Sequence, residues 1–202
     1  MLTERPTVCA LANVKGFDVG LPMPGGSWAT IQKILKAYNT VRNRDKPTIK
    51  QVADLAGLHR PNVSTNNNFL RDLGLLQEEE NKLSPLGTRL ATGLELNNQS
   101  MINEAVQESI QKSPGLSQLL DMLRARGTMT LEAFEGYVVT LAKITAETSA
   151  IAFVSSYAGT IIDYFVAGNL VQEDGSNLIY MRPKEDQLEG RQRLGKEQRG
   201  LR

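Results

Sequence analysis

Apolar residues recur at helical spacing directly after the turn-rich stretch LPMPGG, residues 21 to 26. This spacing predicts an amphipathic helix, and Ser27 stands where its N-cap would be. Pro47 disfavours helical geometry in the residue before it, so we expect the helix to end ahead of it. The apolar positions of this helix are Trp28, Ile31, Ile34, Leu35, Tyr38 and Val41.

Two shorter helices are predicted next. Thr48 and Gln51 have the spacing of a capping box, and Gly57 can supply the left-handed stop. Pro61 then lies in the first turn of a third helix, which ends at Gly74. Two helices separated by so short a turn form a helix-turn-helix.

A hairpin and a further helix are predicted to follow. In LLQEEENKLSP, residues 75 to 85, two leucine-containing segments flank a polar turn, which is typical of two short strands. Ser84 and Pro85 then begin a helix through LGTRLATGL. The order is therefore three helices, a two-stranded wing and an exit helix.

Residues 28 to 95 resemble the winged helix-turn-helix superfamily. The resemblance lies in Val63, Leu70, Leu73, Gly74 and Leu75, followed by LSPLGTRLA. These residues look like the recognition helix, wing and exit helix of many bacterial and archaeal regulators. The resemblance indicates the fold more specifically than the task, because members bind DNA, RNA or only proteins.

The second half loosely repeats this plan. A helix over Leu116–Arg126, a turn, a helix capped by Thr130 and a long helix from about Glu147 to Gly168 are predicted. NLVQEDGSNLIYM then reads as a hairpin, and LVQED at 170 to 174 parallels LLQEE at 75 to 79. The capping threonine and the wing strand are farther apart in the second unit, so the copy is diverged or its long helix has another task.

The expected fold is mainly α with short β-hairpin wings, in a tandem winged-helix architecture. Four segments are predicted: an N-terminal extension at 1–27, a winged-helix domain at 28–97, a second winged-helix-like interaction domain at 98–181, and a charged flexible tail at 182–202.

The third helix carries the candidate DNA-binding residues. Its core face contains Val63, Asn66, Phe69, Leu70 and Leu73. Ser64, Asn68 and Arg71 lie opposite, with Arg60, Thr65 and Asn67 at the flanks. Amides and guanidinium groups can contact base edges in the major groove, and hydroxyls serve bases or phosphates. We therefore expect this helix to bind double-stranded DNA. Arg60 would contact the DNA backbone, and the residues that would contact bases are Ser64, Thr65, Asn67, Asn68 and Arg71.

Charge only partly supports this interpretation. Residues 28 to 95 carry ten Lys and Arg against seven Asp and Glu, so Lys50, with Arg42, Arg44, Lys46 and Arg89, would have to share the phosphate contacts. Glu78, Glu79 and Glu80 at the wing would repel phosphates if the wing approached DNA. Residues 100 to 181 carry four Lys and Arg against nine Asp and Glu, so the second half is acidic. The alternative is a protein-interaction adaptor that never binds nucleic acid.

The long second-half helix is apolar nearly all round and carries no Lys or Arg between Lys143 and Arg182. Such a helix is buried on several sides, either in its own domain or against another chain, and we expect a homodimer through it. The apolar residues of the long second-half helix, on which the homodimer prediction rests, are Ile151, Phe153, Val154, Tyr157, Ile161, Ile162 and Phe165.

The stretch from 149 to 171 contains Asp163 and several Ser, Gly and Asn residues and has no basic flanks, so no membrane span is expected. The N-terminal stretch TVCALANV before Lys15 is too short for a signal-peptide core, and no lipoprotein-type motif surrounds Cys9. A cytoplasmic location is therefore expected.

Enzymatic chemistry finds little support in the sequence. One cysteine and one histidine make metal or triad sites hard to assemble, and the pair of glycines at 25 and 26 lacks the rest of a phosphate loop. We expect no catalytic residues, no metal and no cofactor.

Overall fold

The computed structural model describes residues 20–43, 47–77, 80–142 and 150–181, with only the backbone for residues 150–154. This part of the chain is mainly helical and contains one small antiparallel sheet. The helices are α1 (Trp28–Thr40), α2 (Ile49–Ala56), α3 (Arg60–Asp72), α4 (Pro85–Leu96), α5 (Gln99–Lys112), α6 (Pro114–Arg126), α7 (Leu131–Leu141) and α8 (Ala150–Ala167). The strands are β1 (Thr128–Thr130), β2 (Val171–Asp174) and β3 (Asn177–Tyr180).

The predicted helix starts are confirmed by their caps. The hydroxyl oxygens of Ser27, Ser84 and Thr130 each accept a hydrogen bond from the backbone N–H three residues later. Such a bond satisfies one of the N–H groups that a helix start leaves unpaired. Sequence reasoning missed α5, which begins at its own cap, Asn98.

The two predicted hairpins differ in extent. In the first half, the described residues form a single antiparallel bridge, between Leu76 and Leu83. In the second half, β2 and β3 form the expected hairpin around Gly175, and β1 pairs with the other edge of β3 to give the order β1-β3-β2. The first hairpin is therefore shorter than its sequence suggested.

The ends of α3 and α8 have the same local geometry at positions 95 residues apart (75 and 170). Leu75 N–H donates to Leu70 O at 2.8 Å, and Leu170 N–H donates to Phe165 O at 3.0 Å. A left-handed residue precedes each leucine, namely Gly74 at φ 66° and Asn169 at φ 53°. The similarity between the two sequence segments thus extends to their backbones.

One hydrophobic core runs through both halves. Helix α8 lies against α1, α5 and α7, and its Tyr164 ring makes edge contacts with Trp28 of α1 and Phe69 of α3, with centroids 5.0 and 6.2 Å apart. Tyr164 also shares a hydrogen bond with Ser109 of α5. The boundary predicted at residues 97 and 98 falls in the α4–α5 connection, and the core continues across it.

Candidate nucleic-acid interface

Helices α2 and α3 follow one another across a short turn, at the place where the helix-turn-helix is predicted. Thr48 Oγ1 accepts from Gln51 N–H at 3.3 Å, and Gln51 Oε1 accepts from Thr48 N–H at 3.0 Å, which completes the capping box. Gly57 ends α2 at φ 65°, a conformation that costs glycine nothing sterically. Pro61 lies in the first turn of α3, where no intrahelical partner for its missing N–H is needed.

One face of α3 carries polar side chains that reach solvent. Arg60, Ser64, Asn68 and Arg71 follow one another at spacings of four, four and three residues, so they lie along one side of the helix. The first three are exposed and Arg71 is partly exposed. We call these four residues the α3 stripe. The predicted core residues of α3, Asn66 among them, are all buried on the opposite side.

Asn67 does not belong to this surface, and its prediction as a base-contacting residue is wrong. Its side chain is 1% exposed. The Tyr38 hydroxyl donates to Asn67 Oδ1 at 3.1 Å, and Asn67 Nδ2 approaches the same hydroxyl oxygen at 2.8 Å. Helix α1 therefore covers a flank of α3 that a helical projection places at the solvent boundary. Burial also raises the pKa of Tyr38.

Thr65 is exposed, but its surroundings restrict it. Its hydroxyl donates to Pro61 O at 2.9 Å within the same helix. Gly25 approaches its side chain so closely that a Cβ on that glycine would lie 2.6 Å from Thr65 Cγ2. Thr65 thus borders the segment that precedes α1, and it lies beside the α3 stripe rather than within it.

The fully buried Asn66 has partners for both ends of its amide. Its Oδ1 accepts from Gly25 N–H at 3.0 Å, and its Nδ2 donates to Asn62 O at 2.7 Å. The Thr160 hydroxyl of α8 donates to the carbonyl of Gly26 at 3.1 Å. The segment before α1 is thereby bound to α3 on one side and to α8 on the other.

The charges around the α3 stripe are mixed. Lys50 is exposed on α2, as predicted, and so is Asp54 on the same helix. Lys82 Nζ pairs with Glu80 Oε2 at 3.1 Å in the first hairpin, so the lysine offsets the negative charge of Glu80. Asp72 follows Arg71, and partial burial raises the pKa of its carboxyl group. Glu78 and Glu79 lie outside the described residues.

The other cations predicted to contact phosphates differ in their surroundings. Arg89 is bonded to Glu108, which also pairs with Lys112, and these two cations lower the pKa of the Glu108 carboxyl group. A cation engaged in this way has less positive charge to offer to DNA. Arg42 is exposed, whereas Arg44 and Lys46 lie outside the described residues.

From Ala158 onward, most apolar residues of α8 are buried within one chain, whereas Ala167 is partly buried and Val166 is exposed. Ile161, Ile162 and Phe165 are buried in the common core. The side chains of Ile151, Phe153 and Val154, which also supported the dimer prediction, lie outside the described part of the chain. Residues at the positions equivalent to the α3 stripe are Ser155, Gly159, Asp163 and Val166. This face therefore has no cation, and Val166 is 41% exposed.

Within the described ranges, no group of three or more His, Cys, Asp or Glu side chains could hold a metal ion. No helix among those residues is long and apolar enough to cross a membrane. Comparison of the chain with protein-family models, with curated proteins and with solved structures finds no match.

Proposed function

We propose that the chain consists of two winged-helix units and that the first binds duplex DNA by placing α3 in the major groove. The observation that carries this proposal is the α3 stripe: two arginines, a serine and an asparagine share one accessible side of the second helix of a helix-turn-helix. A helix of this kind fits the major groove. The opposite side of α3 is fixed in the core, which supports a defined presentation of the stripe.

The residues of the stripe divide between two kinds of contact. Arg60 begins α3 and Lys50 lies on the preceding helix, so both suit the phosphate backbone. Asn68 and Arg71 lie farther along α3 and suit base edges, and Ser64 lies between Arg60 and Asn68. Asn67 has no part in this proposal because Tyr38 engages its amide inside the protein.

The second unit has a different role in this proposal. From α6 onward, its order of helix, strand, two helices and hairpin supports a winged-helix assignment, as does the shared geometry at the ends of α3 and α8. The face of α8 equivalent to the α3 stripe contains Asp163 and lacks cations, so it would not attract phosphates. We propose that this unit supports α3 from the core side and that this face of α8 binds a protein partner. The homodimer stays a prediction, with Val166 at its surface.

An adaptor that binds only proteins is the second candidate. The observation that favours it is Leu55, which is 53% exposed on α2, beside the helix proposed to enter DNA. An exposed large apolar side chain near a helix-turn-helix suits a protein partner better than phosphates. The two candidates differ sharply in how they respond to salt.

The test is fluorescence anisotropy of a labelled mixed-sequence duplex titrated with the full chain. Because cations released from DNA drive such binding, about four phosphate contacts predict an affinity loss on the order of a hundredfold between about 50 and about 200 mM monovalent salt. Lys50→Ala and Arg60→Ala should weaken binding to all duplexes alike and reduce the salt dependence.

The matched control is Arg126→Ala, which removes an exposed arginine that packs over Tyr137 in the second unit. It should leave both affinity and salt dependence unchanged. Absence of duplex binding by the native chain at low salt would overturn the DNA proposal and favour the adaptor.

A further inference from the structure

Arg71 is held by two asparagines, one from its own helix and one from the first hairpin. Its Nη1 donates to Asn68 Oδ1 at 3.4 Å in a solvent-exposed contact. Its Nη2 donates to Asn81 Oδ1 at 3.1 Å in a partly buried contact. Its Nε is buried and has no hydrogen-bond partner in the described part of the chain. The guanidinium group therefore has a protein-facing edge and an accessible end.

The hairpin loop is itself fastened at several points. Gln77 N–H donates to Lys82 O at 3.0 Å, and the Gln77 side chain donates to Leu83 O at 3.3 Å. Lys82 and Glu80, which flank Asn81, pair with each other. Among the described residues of the loop, the contact to the Arg71 guanidinium group comes from the neutral amide of Asn81.

We propose that Asn81 is a positioning residue for base selectivity, and that the base read by the Arg71 it orients is guanine. This inference rests on the proposed function, since it concerns the same DNA interface. Guanine presents two acceptors, O6 and N7, in the major groove, and an arginine can donate to both. A side chain already held in place loses less conformational entropy on binding, and the orientation restricts which base edge it meets.

The test is selection of bound duplexes from a randomised library, followed by sequencing, with the native chain and its variants. The native chain should show a guanine preference at one position, and Arg71→Ala should reduce that preference about tenfold to a hundredfold. Asn81→Ala should reduce it about threefold to tenfold at the same position, a smaller loss than that of Arg71→Ala because Asn81 acts on the base contact only through Arg71. Selectivity at other positions should stay unchanged.

A second variant separates orientation from folding. Asn81→Asp keeps an acceptor oxygen for Arg71 but adds a negative charge, so it should retain the guanine preference while weakening binding to all duplexes. Asn177→Ala, the same truncation in the hairpin of the second unit, should change neither property. Thermal unfolding of each variant reports whether its fold is kept.

The outcomes distinguish the two proposals. A native chain that binds no duplex overturns both. DNA binding with an unchanged guanine preference in Asn81→Ala overturns only the role of Asn81, as does a preference altered at a position other than the one Arg71→Ala affects. Loss of the preference in Asn81→Asp as well as in Asn81→Ala also overturns it, because the acceptor would then not be the feature that matters.

Discussion

At the scale of single residues, three consecutive asparagines in α3 have three different surroundings. Asn66 is buried between Gly25 and the backbone of its own helix, Asn67 is buried against Tyr38, and Asn68 is exposed beside Arg71. Helical periodicity predicted the positions of Asn66 and Asn68. It failed for Asn67 because the width of a buried face depends on the neighbouring helix, which periodicity does not contain.

Substitution of Asn66 separates a structural amide from a surface one. Asn66→Ala leaves the Gly25 N–H without its acceptor, so it should lower the free energy of unfolding by about 1–3 kcal/mol. Asn68→Ala, two positions on, should change it by less than about 0.5 kcal/mol because that side chain is exposed. Urea unfolding at constant pH measures both values. Equal losses in the two variants would contradict the assignment.

At the scale of elements, local signals located most of the structure. Caps at Ser27, Thr48, Ser84 and Thr130 identified four helix starts because capping depends on residues within one turn. Helix α5 was missed although its buried positions, among them Ile102, Val106 and Ile110, have helical spacing. The pairing of β1 with β3 was also missed, since it joins residues far apart in sequence and only the folded chain brings them together.

The segment before α1 makes a close contact with α3 that its sequence did not reveal. A Cβ at Gly25 would lie 2.6 Å from Thr65 Cγ2 and 3.0 Å from the Thr65 backbone carbon, whereas a Cβ at Gly26 would meet nothing nearer than 3.4 Å. Gly25→Ala should therefore lower the free energy of unfolding by about 1–3 kcal/mol through overpacking.

Gly26→Ala is the matched control, because it adds the same atom one residue away. Its effect should lie between no change and a gain of about 1 kcal/mol, since alanine restricts the unfolded chain more than glycine does. Chemical unfolding of the two variants under the same conditions gives the comparison. A tolerated Gly25→Ala with a destabilising Gly26→Ala would refute the packing described for this segment.

At the scale of the whole molecule, the second half supports the helix proposed to bind DNA. Tyr164 of α8 contacts Phe69 of α3, and Thr160 of α8 binds the segment that satisfies Asn66. Aromatic pairs of this kind contribute about 0.5–1.5 kcal/mol beyond the area they bury. The sequence predicted two similar units but not this brace, because contacts between distant segments leave no periodic pattern in either one.

The most direct test of the DNA proposal is an NMR titration of the ¹⁵N-labelled full chain with a short duplex at low salt. The backbone amides of Arg60, Ser64, Asn68 and Arg71 should show the largest chemical-shift changes. Those of Ser155, Gly159, Asp163 and Val166, at the equivalent positions of α8, should remain near their free values. Changes concentrated on α8, or none on α3 at saturating duplex, would contradict the account.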